Sequence, residues 1–439
     1  MLFLNLETSP VQREALLSFH NAKSSLFIES TPVYSNSLTV IPLDDFSIHP
    51  SDLLIDTGIA ATLVKTLGEG TNVTLQTTDC PSPSFGSCGS SDGNGDILVT
   101  GPIRWNAASQ LTLNAVRNVS VDAAISATGG GTLELIAGGG LVTASPSTPG
   151  SIDISGNNPG QLIIDQQGDT QFEGTVSGTG GLTKRGSGRL KLTNNQTYTG
   201  PTDISVGILE IEDSGITFAS QSIAVGEGAT FELDTFIATD SFTFSGSIAG
   251  SGQLRKSGPG ELTLAGPNTY TGETRVADGT IRLPTNGSLS PSTVVRVDLA
   301  AAFEVDTDAT IGTIAGSGQI RLNNRDLTLA SDDSSSFSGQ ITGGGSLIKS
   351  GTGTLTITSD LANSGQRNVQ SGRLRIDGAP NSSSPVSVAA GATFEKHVAS
   401  SGTTESMPGV VTGDGNFEKS GPGILEFSAP KAYKGKTIV

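Results

Sequence analysis

Apolar residues recur at every second position in short stretches along most of this chain. Leu190-Lys-Leu192 and Leu262-Thr-Leu264 are typical, and Gly, Asn, Ser or Asp residues separate one stretch from the next. A period of two is typical of β-strands with one buried face, and the separating residues favour turns. The pattern predicts many short strands joined by tight turns, in cycles of about 20–25 residues.

A longer repeat is superimposed on this alternation. The pattern Gly-x-Gly-x-Leu-x-Lys-x-Gly-x-Gly begins at residues 178, 250, 343 and 413, with Phe in place of Leu in the last copy. The copies are therefore 72, 93 and 70 residues apart. Three sets of residues occupy equivalent repeat positions: Lys184, Lys256, Lys349 and Lys419; Tyr198, Tyr270 and Tyr433; Phe231, Phe303 and Phe394.

The unequal spacing of the copies indicates stacked coils. The 93-residue spacing exceeds the first by 21 residues, close to one coil, and residues 316–322 partly repeat residues 250–254. A solenoid accepts a whole extra coil because each coil contacts only its neighbours, whereas a closed barrel or sandwich does not. We therefore predict an all-β, right-handed parallel β-helix. We take the spacings as about three, four and three coils, with Phe231, Phe303 and Phe394 in inward rows.

The regularity of the pattern divides the chain into three predicted segments. Residues 1–50 form an irregular N-terminal segment or truncated upstream coils, with a short helix expected at 11–19. Residues 51–170 show strands at a tighter spacing and form a first β-helical segment, with another short helix expected at 58–67. Residues 171–439 form a β-helix of four repeats that is truncated at its C-terminus.

Composition and charge exclude several classes of protein. The chain has 439 residues with a formal charge of −17, so it repels phosphates and we expect no nucleic-acid partner. Two Cys and three His are too few for a Cys/His zinc framework. No run of 18 apolar residues is present, and the first ten residues lack the positive region of a signal peptide.

The repeat resembles a known family. The pattern Gly-x-Leu-x-Lys-x-Gly-x-Gly-x-Leu-x-Leu, followed by Asn268-Thr-Tyr-Thr-Gly272 in the second copy, is similar to the autotransporter-associated β-strand repeat, also called the passenger-associated transport repeat. Residues 54–130 resemble the β-helical repeats of filamentous-haemagglutinin-like secreted proteins. The resemblance implies a β-helix stalk on a Gram-negative cell surface, which serves adhesion or display and assists its own secretion and folding.

The repeated lysines and tyrosines admit a binding role and a structural one. Lys184, Lys256, Lys349 and Lys419 are either a basic stripe or solvated turn residues that block edge pairing, and we favour the turn residues. Tyr198, Tyr270 and Tyr433 are either sugar platforms or residues that pack beside a turn. Their recurrence at one repeat position favours packing.

The segment between residues 80 and 96 contains three further candidates. Cys80 and Cys88 either close a short disulfide loop, which we favour, or remain thiols. Residues 89–93 fit the G-x-S-x-G pattern of hydrolases but do not lie between a strand and a helix. Residues 92–96 resemble a calcium loop that lacks its distal Glu, so we read both as turns. We expect no catalytic, cofactor or metal site.

The resemblance leads to a functional hypothesis. The chain is expected to be a non-catalytic passenger stalk, secreted or on the bacterial cell surface, whose partners are a host-cell or matrix surface or glycan and an outer-membrane translocator. Because no signal peptide or translocator is recognised, we expect a fragment of a longer protein, with the translocator encoded in a missing C-terminal part. The alternative is a β-helix carbohydrate-active enzyme, a polysaccharide lyase or hydrolase. A single Trp and the regular repeats disfavour it.

Overall fold

Short strands of this chain pair in parallel, coil upon coil, in the computed structural model. The structure describes residues 52–77, 95–142, 150–156, 158, 160–213, 215, 217–378 and 383–439, together with the backbone of four strands before residue 52. It is a parallel β-solenoid of about 15 turns, which confirms the predicted fold class. The chain divides into two compact units, residues 1–224 and 225–439. The predicted three-segment division stays a prediction.

The first unit contains four parallel sheets and an antiparallel one near its start. The antiparallel strands are Leu2–Leu4, Ala15–Phe19 and Leu26–Glu29. One parallel sheet, which we call the Gln161 sheet, consists of Ser37–Thr39, Asn72–Gln76, Gln110–Ala115, Thr132–Ala137, Gln161–Gln166, Gly181–Arg185 and Thr202–Ile204. The other parallel strands are Asp52–Ile55, Asp96–Val99, Asn118–Val121 and Gly140–Val142; Ile103–Trp105, Ile125–Ala127, Ser151–Asp153 and Thr175–Ser177; Thr170–Phe172, Arg189–Leu192 and Ile208–Asp213.

The second unit contains three larger parallel sheets, which we name after one residue each. The Lys256 sheet comprises Thr230–Thr235, Gln253–Ser257, Thr274–Val276, Val294–Val297, Thr313–Gly316, Ser335–Phe337, Thr354–Ile357, Arg373–Ile376, Thr393–His397, Asn416–Ser420 and Thr437–Ile438. The Phe303 sheet comprises Ser241–Phe244, Glu261–Leu264, Thr280–Leu283, Ala302–Val305, Gln319–Arg321 and Gln340–Thr342. The Lys349 sheet comprises Ala309–Ile311, Leu327–Leu329, Leu347–Lys349, Arg367–Val369, Val386–Val388, Val411–Gly413 and Lys431–Tyr433. Thr404–Met407 pairs with Ile424–Phe427. Strand Ser222–Val225, whose first three residues belong to the first unit, lies beside Thr202–Ile204 in the Gln161 sheet, and the remaining strand is Ser247–Gly250.

Helix α1 (Thr57–Gly68) packs against strand Ile103–Trp105. The Asp56 carboxylate caps its first turn by accepting hydrogen bonds from two backbone N–H groups, at 2.9 and 3.0 Å. The predicted helix at 58–67 is therefore confirmed. The helix predicted at 11–19 is wrong, because Ala15–Phe19 is a strand with an antiparallel partner on each side. This pairing outweighs a helical pattern of only nine residues.

Side chains that point inward stack from coil to coil and form the core. Phe303 lies in register between Ile281 and Ile320, and all three are fully buried. Phe231 and Phe394 are buried in the same manner on the Lys256 sheet. The alternating sequence pattern thus becomes alternating burial, as the period of two requires.

The repeat copies of the second unit do not begin on the same sheet. Lys256 and Lys419 lie on the Lys256 sheet, whereas Lys349 lies on the Lys349 sheet. Successive strands of the Lys256 sheet are about 20 residues apart, as in the pairs Leu254–Thr274 and Thr354–Arg373. Spacings of 93 and 70 residues are therefore not whole numbers of coils. Our assignment of four and three coils to these spacings is therefore wrong. Equivalent positions of successive copies lie on different sheets of the solenoid.

Candidate functional site

Each repeat contains a Lys-x-Gly turn in which the lysine folds back on the backbone. We call these the lysine turns; they comprise residues 184–186, 256–258, 349–351 and 419–421. In every lysine turn, Nζ donates a hydrogen bond to the carbonyl oxygen of the glycine two residues later. The distance is 2.8 Å from Lys184 to Gly186 and 2.6 Å from Lys256 to Gly258. The lysine thus satisfies turn carbonyls that the strands leave unpaired.

Backbone conformation explains why glycine ends three of the four lysine turns. Gly186, Gly258 and Gly421 adopt φ values of +74°, +74° and +79°, in the left-handed region that side chains with a Cβ disfavour. This conformation turns the chain at the corner between two strands and leaves the glycine carbonyl within reach of the lysine. The spacing of lysine and glycine is therefore a structural requirement of the turn.

Three of the four repeat lysines are buried. Lys184 and Lys256 have no exposed surface, and Lys349 is 2% exposed, whereas Lys419 is half-buried. Burial lowers the pKa of Lys184 and of Lys256 to about 8, partly offset by nearby aspartates, and it lowers the pKa of Lys349 as well. The expectation of solvated turn residues is wrong for these three. Their ammonium groups face backbone carbonyls and do not form a basic stripe.

The repeat tyrosines lie beside a threonine four residues later. The Tyr198 hydroxyl lies 2.8 Å from Thr202 Oγ1, and the Tyr270 hydroxyl lies 2.5 Å from Thr274 Oγ1. Both tyrosines are fully buried, and burial raises their pKa. Tyr433 is half-buried and keeps the same contact with Thr437. The rings of Tyr198 and Tyr270 are thus inaccessible to a sugar.

A fourth buried lysine lies outside the repeat motif and was not predicted from the sequence. Lys396 has no exposed surface; its Nζ donates to the carbonyls of His397 and Gly378, at 2.8 and 3.0 Å, and lies 2.7 Å from Glu405. It is two residues after Phe394 on the same strand, so the alternation of the sequence could have predicted that it points inward. A lysine inside the coils is therefore not confined to the repeat.

Outward-facing arginines pair with acidic residues on neighbouring coils. Arg275 and Asp298 are 2.8 Å apart. Arg373 contacts Glu395 on the next coil and Glu418 two coils away. Similar pairs link Arg117 with Asp96, Arg189 with Glu210, Arg255 with Glu232, Arg282 with Asp306, Arg296 with Glu273 and Arg321 with Glu304. These pairs tie the coils together, and they were not predicted from the sequence.

The candidates between residues 80 and 96 lie mostly outside the described residues. Cys80, Cys88 and the G-x-S-x-G segment belong to that part of the chain, so the disulfide stays a prediction. Asp96 is described, and its carboxylate accepts from Arg117 Nε at 2.9 Å and from the Asn118 backbone N–H at 3.0 Å. This aspartate holds two coils together.

A shallow groove of about 430 Å³ crosses the outer face of the Gln161 sheet in the first unit. We call it the Gln161 groove; its lining includes Gly160, Gln161, Gly181, Thr183, Asp203 and Ser222. These residues include the polar, uncharged side chains of Gln161, Thr183 and Ser222 and the carboxylate of Asp203. No sequence pattern indicated the groove, because its lining comes from separate coils.

Comparisons with known proteins agree with the resemblance seen in the repeats. The sequence model of the passenger-associated-transport-repeat matches residues 182–211, 254–283 and 347–376. These three ranges contain Lys184, Lys256 and Lys349 with their lysine turns. No solved structure matches the chain at a significant level. The resemblance of residues 54–130 to filamentous-haemagglutinin-like repeats stays a prediction.

Two curated proteins are similar in sequence. The adhesin BmaC autotransporter of Brucella suis is 26% identical over 248 residues, covering 48% of this chain and 7% of that protein. The uncharacterized protein YuaQ of Escherichia coli K12 is 30% identical over 170 residues, covering 38% of this chain and 12% of that protein. This chain therefore spans a small part of either relative. It is a parallel β-solenoid that carries passenger-associated transport repeats and is homologous to an autotransporter adhesin.

Proposed function

We propose that this chain is a non-catalytic stalk section of an autotransporter passenger. It is exposed on the cell surface of a Gram-negative bacterium or secreted, and it acts in adhesion or display. Its partners are an outer-membrane translocator and a host-cell or matrix surface or glycan. The transport repeats assist its own secretion and folding.

The observation that carries the proposal is the structural use of the repeated residues. In the ranges matched by the repeat, lysines and tyrosines that otherwise suggest a binding surface are buried, and their polar atoms bond to the same coils. Outward arginines are held in pairs with acidic residues one coil away. The polar groups of the described repeats therefore hold adjacent coils together, as a stalk requires.

The homologous adhesin supports the cell-surface assignment. That relative is named an adhesin and an autotransporter, and the match extends over 248 residues. No helix in the described part of the chain is long and apolar enough to cross a membrane.

Surface display in a Gram-negative host tests the proposal. The chain is placed between a secretory signal peptide and the translocator of an autotransporter, and the translocator alone serves as the control. We expect the chain to be digested by protease added to intact cells, and the displaying cells to bind cultured host cells or matrix more than the control does. Retention of the chain inside cells that export a control passenger would contradict the assignment.

A polysaccharide screen tests the non-catalytic part of the proposal. The purified chain is incubated with acidic and neutral polysaccharides, and the release of reducing or unsaturated ends is measured. We expect no turnover. Turnover that a single Asp or Arg substitution abolishes would show that the chain is an enzyme.

A further inference from the structure

The Gln161 groove lies on the face of a sheet, so any ligand in it meets side chains. Strands Gln161–Gln166, Gly181–Arg185 and Thr202–Ile204 pair with one another in register beneath it. Their backbone groups are occupied by the ladder, which excludes recognition of a peptide by strand addition. Ser222 and Ala224 of strand Ser222–Val225 also line the groove. Neighbouring strands are about 4.8 Å apart, so the groove crosses four strands over roughly 14 Å.

The groove is open at Gly181 because this residue has no side chain. In register, Gly181 lies beside Gln161, and an added Cβ would approach the Pro201 carbonyl oxygen to 2.8 Å. Gly160 and the mostly buried Thr183 complete the floor. Gln161, Asp203 and Ser222 are exposed and form the rim.

The rim carries donors and acceptors suited to hydroxyl groups. The Gln161 amide offers both, and its Nε2 already donates to Thr183 Oγ1 at 3.1 Å, which fixes its orientation. The Asp203 carboxylate accepts from Ser205 Oγ at 3.2 Å and has lone pairs for further donors. A volume of about 430 Å³ with a few convergent polar groups is within the range of small-ligand sites.

We propose that the Gln161 groove binds a neutral oligosaccharide. Asp203 accepts hydrogen bonds from adjacent sugar hydroxyls, Gln161 donates to and accepts from a neighbouring unit, and the Gly181 floor admits the ring. The site deepens the proposed function, on which it rests, by naming a ligand class for adhesion. An acidic glycan is disfavoured, because the lining contains one carboxylate and no cation, and the chain carries a charge of −17.

Binding of neutral oligosaccharides to the purified full chain tests the proposal. The chain is applied at pH 7 to an array of neutral and acidic glycans, and calorimetry measures the affinity of the best neutral probe. We expect neutral glycans to bind, with a Kd that rises at least tenfold in Gln161→Ala and in Asp203→Ala. Ala224→Trp, which adds bulk at an exposed lining position, should also weaken binding.

Gln171→Ala is the matched control. This exposed glutamine lies on another sheet and contacts Glu173, so its loss should leave the Kd unchanged. Absence of neutral glycan binding, selective binding of acidic glycans, or an unchanged Kd in both groove variants would overturn the proposal. If displayed cells adhere equally well with and without the groove substitutions, the groove proposal fails and the stalk function stands. If the chain is not exported, the stalk function fails independently of any glycan result.

Discussion

Two lysine turns in the second unit share the sequence Lys-Ser-Gly-Pro-Gly but differ in their surroundings. Lys256 is fully buried and donates to three carbonyls, of Ser257, Gly258 and Asp278. Lys419 is half-buried, with a bond to the carbonyl of Gly421. The third acceptor of Lys256 belongs to the following coil. The motif therefore sets the turn, whereas the neighbouring coil sets the burial.

The largest expected effect concerns a core residue between two coils. Phe303→Ala should lower the free energy of unfolding by about 3–5 kcal/mol, because Phe303 is enclosed by Ile281 and Ile320 in register. Phe427→Ala should cost about 1 kcal/mol, since Phe427 is 43% exposed. Urea denaturation of both variants measures the difference. Equal losses would show that burial by adjacent coils does not determine stability.

The lysine turns themselves provide the next test. Lys256→Met should lower the free energy of unfolding by about 1–3 kcal/mol, because it leaves three carbonyls without this donor. Lys419→Met should cost less, since the carbonyl of Gly421 lies near solvent. Thermal unfolding at pH 7 compares the two. A larger loss for Lys419→Met would reverse the interpretation of these turns.

A smaller effect is expected when pH is varied. Burial lowers the pKa of Lys184 and Lys256 from 10.5 to about 8, so between these values the unfolded chain binds more protons and stability should rise with pH. Burial raises the pKa of Tyr198 and Tyr270 above 10, so stability should fall above pH 10. Urea midpoints at several pH values measure both trends. In the double variant Lys184→Met, Lys256→Met, the rise in stability with pH should diminish, whereas the fall in stability above pH 10 should remain. An unchanged rise would show that these two lysines do not cause it.

The smallest effect is expected at the outer ion pairs. Arg275→Ala should cost about 0.2–1 kcal/mol, because Arg275 and Asp298 are partly exposed and water screens their attraction. The same range applies to Lys434→Ala, whose pair with Asp414 is more exposed. Denaturation is measured at low and at high salt, and both losses should be smaller at high salt because the ions screen the attraction. A loss above about 2 kcal/mol lies beyond the range of exposed ion pairs and would contradict this ranking.

Much of the fold follows from the period-two alternation and the repeat spacing. Leu254 and Lys256 are two residues apart on one strand, so the same pattern places both inward. The general rule that a charged side chain lies in solvent led to the opposite expectation. The rule fails here because turn carbonyls supply the acceptors, and the Asp278 carbonyl comes from another coil.

The groove and the orientation of the repeats needed the structure. Gln161, Gly181 and Asp203 come from three strands, so their juxtaposition depends on register between coils. Successive repeat copies lie on different sheets when the repeat length is not a whole number of coils. The sheet on which a copy lies is set by the part of a coil that remains after the whole coils are counted. An error of a few residues in the coil length changes that remainder, so the approximate coil length from sequence did not fix it.

The additional rung Gln319–Arg321, seated between Ala302–Val305 and Gln340–Thr342, has a genetic consequence. Partly repeated segments, such as residues 250–254 and 316–322, favour unequal crossing-over, and the product folds only where the gained or lost length is a whole coil, so that the strands pair again. Such events lengthen or shorten the second unit in steps of roughly 4.8 Å, one rung at a time. The length of the second unit can thus change by whole coils while the chemistry of its turns stays constant.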